Sequence, residues 1–240
     1  MRAAEGEVPA VTEVRRRIDH AGDQEMRAAL RYAFCICGRV SEVVGQKSPT
    51  DRSPANGPKP EDAEAVLVMV GNKKEKAWVP SVKTSKHGAM IRKPGLAADY
   101  DPWVPELKSY FEGKPLGKPV FDFTRFNLGD YVDDNDVFEG LVWRLEEYHI
   151  FLNKNGVMEV KRVPTHLVRF TIHRLRDARA TNLIDYYGFD GYGLSVHGGW
   201  KPSGTVPGMS PVMAKYTTPI YTDWEKPFPK LLKPLAVPPF

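Results

Sequence analysis

Thr171-Ile172-His173-Arg174-Leu175-Arg176-Asp177-Ala178-Arg179-Ala180-Thr181-Asn182-Leu183-Ile184 is the stretch from which the organisation of this chain is legible. Thr171 can cap a helix, and Ile172, Leu175 and Leu183 then fall on one side at helical spacing. His173 and Arg176 stand one turn apart, so an imidazole and a guanidinium share a face. The start of a helix already favours an anion, through its unpaired N–H groups and its dipole. A phosphate is the natural guest. A basic, solvated helix face would carry the same residue types, so the decision falls to what lies before and after.

The chain has 240 residues, of which 42% are hydrophobic and 11% aromatic, enough to bury the core of one large domain. A total of 34 Lys plus Arg against 30 Asp plus Glu gives a net charge of +4, which permits nucleic-acid binding without demanding it. Cys35 and Cys37 are the only cysteines. Their spacing suits neither a zinc knuckle nor a disulfide framework, and buried, reduced thiols are expected. The N-terminus Met1-Arg2-Ala3-Ala4-Glu5-Gly6-Glu7 lacks the apolar segment of a signal peptide, and no apolar run is long enough to span a bilayer. A cytoplasmic protein that leaves the membrane alone is the expectation. The six histidines (20, 87, 149, 166, 173, 197) lack metal-ligand spacing, and no Gly-rich loop precedes a Lys-Ser/Thr pair. No metal, nucleotide or other cofactor is therefore expected.

Working outward from the central stretch, residues 1–21 carry Arg15-Arg16-Arg17 and little periodicity, and are expected to be a flexible or partly docked arm. From Asp23 the chain turns helical, with Met26, Leu30, Ala33 and Phe34 on one face and Gly38 as the expected C-cap. Ser41 is placed to cap a second, short helix, which would hold Arg39 in a tight junction; a plain helix-capping arginine is the alternative. Residues 48–61 are loop by composition. Short strands are expected over 65–70 and 77–82, then a strand, a Gly-containing turn and a return strand over 82–92, with lysines on the hairpins. A helix is expected from Trp103 to Phe111, an extended segment over 120–125, helix again over 135–152 with Val137, Leu141, Leu145 and Tyr148 inward, and a polar turn over 153–163. After the central helix come a short helix through Leu194, the loop His197-Gly198-Gly199-Trp200, a helix from Met209 to Tyr216, and a basic, proline-broken tail. The fold class expected is mainly α with a small antiparallel sheet, that is, α+β.

The ordered set of Gly38-Arg39-Val40-Ser41-Glu42, a lysine on a hairpin, His173-Arg174-Leu175-Arg176, Gly198-Gly199-Trp200 and Ala214-Lys215-Tyr216 resembles the catalytic domain of the tyrosine recombinases, the integrase family, and most closely its archaeal members. The resemblance covers residues 22–232. It implies a site-specific recombinase of a mobile element, with residues 22–216 as catalytic domain and 217–240 as a tail that docks or is exchanged between subunits. It implies duplex DNA as partner, a dimer or tetramer assembled on that DNA, and a nucleoid-associated location.

The resemblance also assigns roles, and chemistry supplies a reason for each. Breaking a phosphodiester without metal or ATP calls for a nucleophile that stores the bond as an ester; Tyr216 is that nucleophile, with Tyr221 the competitor. Arg39 and Arg176 would fork onto the non-bridging phosphate oxygens. Lys86 would be the general acid for the departing 5′ oxygen, with Lys83 the alternative. His173 would assist proton transfer, and Trp200 would offer its indole N–H, with His197 able to share that role. The chain departs from the family pattern at Asp177, where histidine is common, at Trp200, where many members carry histidine, and in the long interval from Trp200 to Tyr216. The N-terminal clamp that usually precedes this domain has no counterpart in the twenty residues ahead of the first helix, so the expectation is either a truncated product or fragment, or a minimal member that grips DNA with one face only. A type IB topoisomerase and a DNA-binding remnant without catalysis are the competing functions.

Overall fold

The computed structural model describes residues 9–45, 57–70, 73–83, 91–98, 101–145, 148–152, 154–156, 158–162, 166–189 and 191–199. These form a mixed α+β domain. No helix among them is long and apolar enough to cross a membrane.

Helix α2 (Gln24–Cys35) is the centre of the core. Asp23 starts it by accepting the Met26 N–H at 2.9 Å. Ala28, Ala29, Leu30, Tyr32, Ala33, Phe34 and Cys35 are all buried, so the helix is covered on nearly every side, with alanines where neighbours approach. Helix α1 (Val11–Asp19) packs beside it. Within the expected arm, then, residues 11–19 are a docked helix: Val14 and Ile18 have no exposure, and Arg15 is buried as well. Helix α3 (Val40–Val44) follows α2 directly.

Strands β1 (Ala63–Val70) and β2 (Lys73–Pro80) pair antiparallel, from Ala63 opposite Pro80 to Val70 opposite Lys73. The strands run further toward the turn than the sequence pattern indicates, so Lys73, Lys74 and Lys76 lie within the strand. Strand β5 (Leu96–Ala97) adds to the far side of β2. Strands β3 (Val82–Lys83) and β4 (Ile91–Arg92) close a separate small hairpin, Val82 opposite Arg92 and Lys83 opposite Ile91. Period-two alternation sends Trp78 and Leu96 into the main core, and Ala77, Val79 and Ala97 to a second cluster with Val66. Trp78 meets Phe111 of helix α4 (Val104–Glu112) edge-on at 5.0 Å, and Phe111 meets Tyr32 at the same distance, which clamps sheet, α4 and α2 together.

Helix α5 (Arg125–Asp134) fills a stretch to which the sequence pattern assigns no element, started by a reciprocal pair in which Asn127 N–H donates to Thr124 Oγ1 at 3.3 Å and Asn127 Oδ1 accepts the Thr124 N–H at 2.9 Å. Only Leu128 and Val132 are buried on it, and Gly129 lies among aspartates, so its periodicity is faint. The helix expected over 135–152 is instead turns and β-ribbon. Strand β6 (Val142–Leu145) pairs with β9 (His166–Arg169), and β7 (Tyr148–Leu152) with β8 (Met158–Arg162), the latter lying inside the expected polar turn. Val142, Trp143, Tyr148, Ile150 and Phe151 are β-branched or aromatic, and their preference for a pleated surface overrides the four-residue spacing. The ribbon is rooted where Phe170 meets Phe138 at 5.1 Å and Trp143 at 6.1 Å.

Helix α6 (Ile172–Asp185) follows the ribbon, and helix α7 (Gly191–Gly198) follows α6, extending past the expected Leu194 to absorb His197 and Gly198. Thr171 sits at the N-cap of α6 with extended backbone, but its hydroxyl makes no cap bond. A buried ion cluster ties α6 to α1: Asp101 accepts from Arg179 at 2.7 Å and faces Arg15 at 3.7 Å, and both guanidiniums lie over Phe34 at 5.3 and 5.4 Å.

Candidate phosphate-binding site

The end of α2 decides where Arg39 goes. Cys37, not the expected Gly38, takes the left-handed backbone, at φ 52°, and Gly38 N–H reaches back to Ala33 O at 2.8 Å. A Cβ at Gly38 would stand 2.6 Å from Ile36 Cδ1, so the Ile36 side chain would have to shift to admit one. Arg39 follows at the N-cap of α3, with φ −81° and ψ 154°. Ser41 is therefore inside the helix and is not its cap. The Glu42 carboxylate does that work, accepting the Arg39 N–H on Oε2 at 2.9 Å.

Glu42 is buried, and three guanidiniums gather on it. Arg39 donates Nη1 to Oε1 at 3.2 Å, Arg92 donates Nη2 to Oε2 at 2.9 Å, and Arg176 Nη1 lies 3.7 Å from Oε2. Burial opposes ionisation of Glu42, but the Arg92 charge, the Arg39 N–H and the Arg176 charge outweigh it and hold the carboxyl below its ordinary range. Arg176 is only 3% exposed; its Nη2 donates to Gly198 O at 2.7 Å, while Cys37 Sγ donates to the Arg176 carbonyl at 3.3 Å. Burial, with the like charges of Arg92 and Arg39, pushes its guanidinium down to about 10 against the help of Glu42. Arg39 keeps 21% of its side chain exposed and so opens the cluster to solvent.

His173 stands one turn before Arg176 on the exposed side of α6. Desolvation, with the charges of Arg174, Arg176 and Arg39, lowers its pKa against the pull of Asp177, so the ring is neutral near pH 7. It belongs to the same field as the two arginines. His197 does not: it is buried, with Nε2 on Cys35 O at 3.0 Å and its ring edge-on to Phe189 at 5.7 Å. In this position the imidazole packs in the core. Lys83 lies on β3 with Nζ 3.4 Å from Asp62. Lys86, Trp200, Tyr216 and Tyr221 lie outside the described residues.

The fold thus brings together Arg39, Arg176 and His173, and adds two groups to which sequence reasoning gave no role. Glu42 is legible in retrospect, because a carboxylate three residues past Arg39 can reach back to its N–H. Arg92 carries no comparable mark; only folding brings β4 beside α3. No protein-family model, curated protein or solved structure matches the chain.

Proposed function

We propose that the chain cleaves and rejoins duplex DNA as a recombinase of the tyrosine type, through a 3′-phosphotyrosyl intermediate. The observation that carries this reading is the meeting of Arg39 and Arg176 on opposite oxygens of Glu42, with His173 one turn away. The described cluster holds more guanidinium than carboxylate in a largely desolvated place, where hydrogen bonds to an anion are strongest. A phosphodiester that enters beside Arg39 meets donors fixed before it arrives.

In this reading the Tyr216 oxygen attacks phosphorus, with its proton passing toward neutral His173. The bond to the 5′ oxygen breaks as Lys86, or Lys83, protonates that oxygen. The arginines neutralise the charge that builds on the non-bridging oxygens. Rejoining is the same path reversed, and no metal or nucleotide takes part. Recombination joins two duplexes, so subunits of this chain would assemble on the DNA.

The test is a library of nicked duplexes of random sequence, in which cleavage near the nick releases a short strand and traps the covalent product. Mass spectrometry of the trapped peptide is expected to find DNA on Tyr216, and Tyr216→Phe to abolish the adduct. A mobility shift with no adduct would replace this reading with that of a DNA-binding protein. Relaxation of supercoiled plasmid without recombinant product would point to a topoisomerase.

A further inference from the structure

Arg92 has no exposure at all, yet its guanidinium meets three other elements. Nη1 donates to Ile36 O at the end of α2, at 2.7 Å, and to His197 O on α7; Nη2 donates to Glu42 on α3. Its own backbone belongs to β4, opposite Val82 of β3. The next pair, Lys83 with Ile91, closes the hairpin whose connection contains Lys86. One side chain therefore joins the foot of the lysine hairpin to the carboxylate that seats both arginines.

Stability alone is a poor reason for such a group. A buried ion pair is often matched or bettered by apolar side chains of similar volume. What an apolar residue cannot do is fix the hairpin to Glu42 along a set direction.

We propose that Arg92 is a positioning residue, which holds the general-acid hairpin in register with the arginine pair. The inference rests on the phosphoryl-transfer reading above. Its consequence is specific to one half of the reaction. Without the Arg92 link, protonation of the departing 5′ oxygen suffers more than stabilisation of the phosphorus centre.

The experiment uses the duplex recovered from the library, made in two forms: one with the natural 5′ oxygen at the scissile bond and one with sulfur in its place. A departing thiolate needs no proton, so cleavage of the sulfur form is insensitive to the general acid. Arg92→Met is expected to cleave the oxygen form at least about tenfold more slowly and the sulfur form within about threefold of the parent rate. Arg92→Lys, which keeps the charge beside Glu42, should show the same split more weakly and guards against a misfolded Arg92→Met. Lys86→Ala and Lys83→Ala in the same assay mark which lysine the hairpin presents. Equal slowing of both duplexes, or none, would overturn the inference while the function stands. Absence of adduct in the parent chain would remove both.

Discussion

Arg39 and Arg176 sit on the two oxygens of one buried carboxylate, 3.2 Å from Oε1 and 3.7 Å from Oε2 of Glu42. The arrangement fixes the spacing of two cations that would otherwise repel. It also makes Glu42 the group on which the cluster depends. Glu42→Gln is expected to cost about 3–5 kcal/mol, the penalty typical of breaking a buried ion pair from one side. Sulfate at matched ionic strength should recover more of the melting temperature in this variant than in the parent, because it supplies the missing negative charge. Equal sulfate effects in both proteins would refute the role.

The second prediction concerns pH. His173 has its pKa lowered from 6.5, so its neutral form persists as pH falls and the ring charges only below the ordinary range. The acid limb of the cleavage profile should therefore lie below pH 6.5. Asp177 pulls the other way, and Asp177→Asn is expected to move that limb lower still. The same depression means that His173 favours folding above its unfolded pKa, and that this contribution falls as pH drops through the folded value. Glu42 behaves in the same sense at lower pH, its contribution present above the carboxyl's unfolded value of 4.5 and lost as pH falls through the depressed folded one. Glu13, held at about 2 by Arg16 and Arg17, adds a further acid-labile increment between those values. A melting temperature flat from pH 7 to pH 3 would contradict all three.

The third concerns the ion cluster under α6. Asp101→Asn leaves the buried Arg15 and Arg179 guanidiniums without their shared counter-charge, and should cost about 3–5 kcal/mol in urea or guanidinium unfolding. Because Asp101 pairs with Arg179 and Arg15 and not with the arginines seated on Glu42, loss of cleavage in this variant should follow the loss of folded protein. A folded variant with abolished cleavage would show that the cluster does more than anchor the helix.

The fourth is a control on the core. The Tyr32 hydroxyl is buried with no hydrogen-bond partner among the described residues, while its ring packs against Trp78, Phe111 and Phe121. Tyr32→Phe should change stability by less than about 1 kcal/mol, since it removes an unpaired polar atom and keeps the ring contacts. Tyr32→Ala should cost about 3–5 kcal/mol.

The sequence by itself determined the elements whose causes are local. Asp23 and the apolar spacing after it specify α2, and the run from Thr171 to Ile184 specifies α6, because caps and helical periodicity act within a few residues. The mixed α+β class and the closeness of Arg39 to a helix start follow from the same short-range physics. Helix α5 and the β-ribbon escaped it: the one shows too few apolar residues to set a period, and the other mimics helical spacing while its β-branched and aromatic side chains favour a pleat. Tertiary structure alone decided that Cys37 rather than Gly38 turns left-handed, that His197 faces the core, and that Arg92 meets Glu42. Those outcomes depend on which surfaces are pressed together when water is excluded. A buried charge must find its partner wherever the chain happens to bring one, and that choice is written in the packing of distant segments.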